Sequence, residues 1–223
     1  MAETQGLRYK NRVVVVTGGA SGIGYGIVKS FVEHGAKVVF CDIKESEGLS
    51  VETDLNKTGP GQCKFIFCDV SNENQVKGVI DTTIEAFGQL DCLVNNAGTH
   101  PPHFPIDDYS AADFHKVMDI NVFSFFSACK FALPHLRKTQ GNIINNCSLV
   151  ADIGQLHAVT YCASKGAILS MTKALAIDEA CHNVRVNSGS VAEWLARQTR
   201  NLKVVGSIPD HAMLQLPWES NLP

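Results

Sequence analysis

The 223-residue sequence is short of several things, and each shortage removes a class of protein. No uninterrupted apolar run reaches the roughly 18–20 residues that a membrane span requires. The opening stretch MAETQGLRYKNR lacks the apolar centre of a secretory signal, so a cytosolic location is expected. Charge of one sign is not in excess: 19 Lys and Arg face 22 Asp and Glu, a net charge of −3, with both signs scattered along the chain. Nothing electrostatic then points to nucleic acid or an acidic membrane as partner. The eight cysteines, at 41, 63, 68, 92, 129, 147, 162 and 181, include no C-x-x-C pair and sit mostly in apolar runs. They read as buried thiols of a reducing compartment rather than a disulfide or zinc framework, and no metal is expected. Internal repeats, low-complexity segments and a domain linker are also missing, which leaves one α/β domain with one core.

What is present is an alternation of short β-branched runs with longer stretches of helical period, the pattern of parallel strands joined by crossover helices. Strands are expected at Arg12–Thr17, Lys37–Cys41, Lys64–Cys68, Leu90–Val94, Asn142–Cys147 and from Val184 to Asn187. Helices are expected over Ser21–His34, Lys44–Asn56, from a Ser71 cap to Phe87, over 111–137 and over 158–181, with Gly35 ending the first. A polar, proline-bearing loop spans Gly98–Ser110.

Directly after the first strand stands Thr17-Gly18-Gly19-Ala20-Ser21-Gly22-Ile23-Gly24, a glycine loop opening a helix. Glycines there allow a tight turn and let backbone amides approach a pyrophosphate at the positive helix end, so Gly18, Ser21, Gly22, Ile23 and Gly24 are candidate cofactor residues. Asp42 follows eighteen residues beyond Gly24, at the end of the second strand. A carboxylate there accepts from two ribose hydroxyls and repels a 2′-phosphate, which selects NAD over NADP; an ordinary turn Asp is the plainer reading. Asp69 and Val70 close the third strand beside the expected adenine position, where a helix cap would explain the Asp as well. Asn95-Asn96-Ala97-Gly98 ends the fourth strand, at the carboxyl edge where open sheets bind ligands, and adds Asn96, Ala97 and Gly98.

Tyr161 and Lys165 lie at i and i+4, on one face of the expected helix. The ammonium would favour the tyrosinate and bring a phenol of pKa about 10 toward acid–base range. By itself this pair is common on solvated helix faces. Ser148, thirteen residues before Tyr161 and at the end of the fifth strand, would hold the substrate oxygen in the same cleft.

Taken together, the glycine loop, Asp42, Asp69, N-N-A-G, Asn121, Ser148 and the Y-x-x-x-K pair resemble the short-chain dehydrogenase/reductase family over roughly residues 8–187. The resemblance implies a Rossmann-type doubly wound parallel sheet and NAD-dependent interconversion of a secondary alcohol and a ketone by Ser148, Tyr161 and Lys165. Tyr161 and Lys165 would also contact the cofactor, and Asn121 would anchor a water leading to Lys165. Within the family, His100-Pro101-Pro102 and Gly154-Gln155 look most like the type 14 branch of the 17β-hydroxysteroid dehydrogenases. That implies a 17β-hydroxysteroid such as estradiol as substrate, with His100, Gln155, Ser148 and Tyr161 lining its cleft. It also implies a cytosolic homodimer or homotetramer built on the helices at 111–137 and 158–181.

Two departures from the family stand out. Asn145-Asn146-Cys147 replaces a more apolar or Ser-rich run before Ser148, and burying Asn146 unpartnered would cost about 1–3 kcal/mol. After Asn187 the expected Pro-Gly turn, substrate lid and last strand are replaced by Ser188-Gly189-Ser190 and a tail to Pro223. The chain is therefore divided into an NAD-binding domain, 1–187, and an atypical tail, 188–223, with a short amphipathic helix expected at 192–205. A splice product or misjoined reading frame is the expected origin of the tail. The rival function is a catalytically impaired isoform that binds NAD or dimerises.

Overall fold

The structure, a computed structural model, describes residues 7–189, so the expected helix at 192–205 lies outside the described residues. Six parallel strands form one sheet: β1 (Val13–Thr17), β2 (Lys37–Asp42), β3 (Gln62–Phe67), β4 (Cys92–Asn95), β5 (Asn142–Asn146) and β6 (Arg185–Gly189). Their spatial order is β3-β2-β1-β4-β5-β6, with β1 at the point where the order reverses. The helices are α1 (Gly22–Glu33), α2 (Glu45–Thr58), α3 (Glu73–Phe87), α4 (Ala111–Met118), α5 (Ser124–Thr139) and α6 (Val159–Glu179). This is the expected doubly wound architecture.

The period of two and burial on both faces explain the run of four valines, Val13–Val16, in the first strand. Val13 and Val15 point into one buried cluster with Val39, Leu93 and Ile143, whereas Val14 and Val16 point into another with Val38, Phe40 and Val94. Both faces are covered, so Val13–Val16 are apolar on either side and only Thr17, at the carboxyl end, is polar. Helices α1 and α2 cover the second face through Val28, Val32, Val51 and Leu55. Helices α3 and α5 cover the first through Val79, Ile80, Ala132 and Leu136.

Helix ends follow local chemistry. Gly35 takes φ +84° after α1, and Ala36 N–H reaches Phe31 O while Gly35 N–H reaches Val32 O, the paired bonds of a Schellman stop. The expected Ser71 cap of α3 is corrected: Asn72 caps it, its Oδ1 accepting from Asn74 and Gln75 N–H. Ser71 instead donates its hydroxyl to Asp69. Ser110 and Asp113 form a reciprocal capping box on α4.

The expected single helix at 111–137 is continuous to Thr139 but contains a π turn at Asp119–Phe123 between α4 and α5. By length and composition this helix could cross a membrane, although half of its most apolar stretch is buried within the protein. Amphipathic core helices have the same signature. The sixth strand runs two residues past Asn187, with Ser188 and Gly189 paired to Asn145 and Asn146.

Candidate active site

At the carboxyl edge of β1, the loop turns back on itself because Gly18 adopts φ +69° and approaches β4 closely. A Cβ on Gly18 would lie 2.8 Å from Ala97 Cα, so only glycine lets the two strand ends meet at the switch point. A side chain on Gly24 would collide with the Gly18 carbonyl. Ser21 precedes α1 without capping it, and the first turn carries no acidic side chain. The N–H groups of a twelve-residue helix therefore face the loop, as an anionic group requires.

Asp42 is aimed at this loop. Its Oδ2 accepts from Ala20 N–H at 3.1 Å and its Oδ1 from Lys44 N–H at 3.1 Å. Lys44 Nζ stands 3.3 Å from Ser21 Oγ, a cation at this edge. Asp69 accepts from Ser71 N–H and Oγ–H, an Asx-type turn rather than a helix cap.

The N-N-A-G segment is locked to the glycine loop by a residue without an assigned role at the sequence level, Thr17. Its Oγ1 accepts from Asn96 N–H and Ala97 N–H at 3.0 and 3.1 Å, while Asn96 Nδ2 donates to the carbonyls of Thr17 and Gly18. The departure at Asn145-Asn146 resolves in the same way. Asn146 Nδ2 donates to Asn96 Oδ1 at 2.9 Å, and Asn145 accepts from Asn95 and donates to Thr172 Oγ1. The cost of an unpartnered amide does not arise at either residue.

Ser148, at the end of β5, and Tyr161 and Lys165, on α6, meet beyond these strand ends. Lys165 is 5 % exposed and donates from Nζ to the Asn146 carbonyl at 2.9 Å. Burial lowers its pKa, opposed by the neighbouring Cys147. Tyr161 is shifted the other way from the sequence expectation. Burial raises its phenol above 10.0, the hydrogen bond with Ser148 opposes this, and Cys147 and Cys162 add to the rise. The Lys165 ammonium stands 5.7 Å from the Tyr161 ring centre, held to the Asn146 carbonyl, and does not outweigh burial.

Asn121 is fully buried in the π turn, where π bulges often serve functional sites. Its Nδ2 donates to Thr99 O and Ser164 Oγ, and its Oδ1 accepts from Thr99 N–H. The side chain thus ties the loop after β4 to α6.

The glycine loop, Asp42, the N-N-A-G segment and the three reacting groups border one cleft of about 750 Å³, a size suited to a cofactor and a small substrate, whereas Asn121 lies outside its lining. Gly18, Ser21, Ile23, Gly24, Asp42, Asp69, Val70, Asn96, Ala97, Gly98, His100, Ser148, Tyr161 and Lys165 line it. Gly22 does not, and serves the turn through φ +56°. His100 packs against Tyr161 with ring centres 4.0 Å apart and planes tilted by 41°. Gln155 is not in the lining; its amide lies 3.3 Å from His103 Nε2 on the exposed rim. Among the described residues, no group of three or more His, Cys, Asp or Glu gathers as a metal cage.

The sequence model for short chain dehydrogenases matches residues 12–197. L-fucose dehydrogenase from Bos taurus is 51 % identical over 182 residues, covering 82 % of this chain and 66 % of that protein. The L-fucose dehydrogenase of Oryctolagus cuniculus is 47 % identical over 182 residues, 82 % of this chain and 62 % of that protein. The chain therefore spans just under two thirds of the length of these relatives. Their names do not support the hydroxysteroid branch expected from His100–Pro102 and Gly154-Gln155. Among solved structures, a short chain dehydrogenase from Mycobacterium smegmatis superposes with a TM-score of 0.78 at 32 % identity, over 83 % of this chain and 78 % of that one. NAD+-bound xylitol dehydrogenase gives 0.78 at 29 %, over 85 % and 75 %. With its glycine loop, N-N-A-G lock and Ser148, Tyr161 and Lys165 brought to one sheet edge, the chain belongs to the short-chain dehydrogenase family.

Proposed function

We propose that this protein is an NAD-linked oxidoreductase that interconverts an alcohol and a carbonyl compound. The observation that carries the reading is the single cleft in which the glycine loop and Asp42 share walls with Ser148, Tyr161 and Lys165. The residues present fit a dinucleotide. The open N-terminus of α1 and the loop at Gly18 and Gly24 would hold the pyrophosphate, Asp42 the adenosine ribose, and Asp69 and Val70 the adenine side. Asp42 favours NAD, since a 2′-phosphate would face its carboxylate. When bound, the nicotinamide supplies the hydride acceptor or donor.

Tyr161 exchanges the proton at the substrate oxygen, and the Ser148 hydroxyl holds that oxygen in line. Lys165, fixed by the Asn146 carbonyl, keeps a positive charge beneath the phenol. With the phenol raised above its ordinary value, Tyr161 enters the reaction protonated at neutral pH. Reduction then has its acid ready, whereas oxidation gains from higher pH.

For the substrate, the rim favours a hydroxyl-rich molecule. His100, His103 and Gln155 present imidazoles and an amide at the mouth, matching the sugar named for the relatives. A steroid is the second reading, carried by the exposed apolar Leu149 in the lining and Ile153 and Leu156 nearby. Assembly as a homo-oligomer is proposed through the outer face of the 111–139 helix, where exposed Phe123 and Phe126 stack, together with α6, where Ile177 is exposed.

The test is NADH formation from NAD with L-fucose, and in parallel with estradiol. L-fucose is expected to turn over, and Tyr161→Phe to lower the rate by about 10²–10⁴-fold. NAD binding with no Tyr161-dependent turnover of any secondary alcohol would instead support an impaired NAD-binding or dimerising form.

A further inference from the structure

The rim cluster offered to the substrate in the proposed reading takes no part in the proton transfer itself. His100 and His103 face each other with their Nε2 atoms 3.5 Å apart. His100 Nδ1 lies 2.9 Å from the Pro101 carbonyl, which can only accept, so Nδ1 bears the proton and Nε2 presents a lone pair. The Gln155 amide stands 3.3 Å from the same His103 Nε2. One proton on His103 cannot satisfy both neighbours. Placed on Nε2, it serves His100 and leaves the Gln155 NH2 without an acceptor there; removed, it leaves two imidazole lone pairs facing each other.

A divalent transition metal removes that conflict. Zn–N bonds of about 2.0–2.1 Å at a tetrahedral angle place two ligand nitrogens about 3.3–3.4 Å apart, close to the spacing of the two Nε2 atoms. The Nδ1–H bond to a backbone carbonyl is the outer support that commonly orients a metal-binding imidazole. Rotation of the Gln155 amide would bring Oε1 in as a third ligand.

We propose that His100, His103 and Gln155 form a rim site for zinc or a similar divalent transition metal, with solvent completing its coordination. Because His100 packs on Tyr161 with ring centres 4.0 Å apart, the ion would fasten the loop after β4 to the loop after β5 across the reacting groups. Zinc would thereby act as an inhibitor. This consequence rests on the oxidoreductase reading, whereas zinc binding itself does not.

The experiment titrates zinc chloride into the reduced full chain against a competing chromophoric chelator. Wild type should bind zinc, His103→Gln should bind it at least about tenfold more weakly, and Gln155→Glu at least about tenfold more tightly, since two His and a Glu are a common zinc set. A gain of affinity cannot come from misfolding. Equal affinity in wild type and His103→Gln overturns the site, because the accessible thiols would then hold the metal. No gain in Gln155→Glu overturns the third ligand. NADH formation is followed in the same samples: zinc binding with unchanged turnover overturns the inhibitory role, and absence of turnover without zinc counts against the oxidoreductase reading and leaves the site standing.

Discussion

Tyr161 and Lys165 are pushed in opposite directions by the same cause, burial at the sheet edge, and each shift makes a prediction. The raised phenol should titrate above 10.0 in the cofactor-free protein. The absorbance difference near 295 nm between wild type and Tyr161→Phe should therefore grow only at higher pH than for free tyrosine; growth centred below 10 would contradict the burial argument. Lys165 has a folded pKa below 10.5, so between its lowered value and 10.5 the unfolded chain binds more protons and stability rises with pH. Wild type should gain on Lys165→Met in denaturant midpoint across that window, and parallel pH curves would count against it. At this scale the reacting residues were legible in sequence because α-helical spacing brings i and i+4 together. The direction of the Tyr161 shift was not, since it depends on how much water the folded cleft excludes. His103 carried no sequence signal either, because its meeting with Gln155 joins loops 52 residues apart.

At the scale of elements, the contacts between strand ends and between helices decide what the site can hold. Gly24→Ala would drive a methyl group into the Gly18 carbonyl, an overpacking that costs about 1–3 kcal/mol. It should lower the urea midpoint and weaken NAD binding together, checked by unfolding and a fluorescence titration. Helices α5 and α6 are pinned by Arg137, which donates from Nε and Nη2 to the two oxygens of the buried Glu179. Arg137 holds that carboxyl below 4.5. Its stabilising effect is therefore present above 4.5 and lost as pH falls through the lowered native value. Arg137→Ala should reduce stability at pH 7, and the gap to wild type should close in acid; a gap constant down to pH 3 would sink this account. The strands and helices were largely readable from periodicity. Readings that failed were local competitions: Asn72 displaced Ser71 as cap, and a π turn interrupted the helix that periodicity draws as uniform.

At the scale of the whole molecule, the proposed pairing through the 111–139 helix predicts that Phe126→Glu, which places a charge on the exposed phenyl stack, shifts the protein toward monomer in sedimentation velocity. An unchanged assembly state would move the interface elsewhere. The sequence by itself determined the family, the doubly wound sheet and the order in which Gly18, Asp42, Ser148, Tyr161 and Lys165 arrive at its carboxyl edge. Those features follow from local period and fixed spacing, which are written in neighbouring residues. Only the tertiary structure decided that Asn145 and Asn146 are satisfied by Asn95, Asn96 and Thr172, that Asn121 spends its amide on Thr99 and Ser164, and that Gln155 reaches His103 instead of the cleft. Each is a hydrogen bond between residues 22 to 52 positions apart, and an amide takes whichever partner the packed strands and loops bring within about 3 Å.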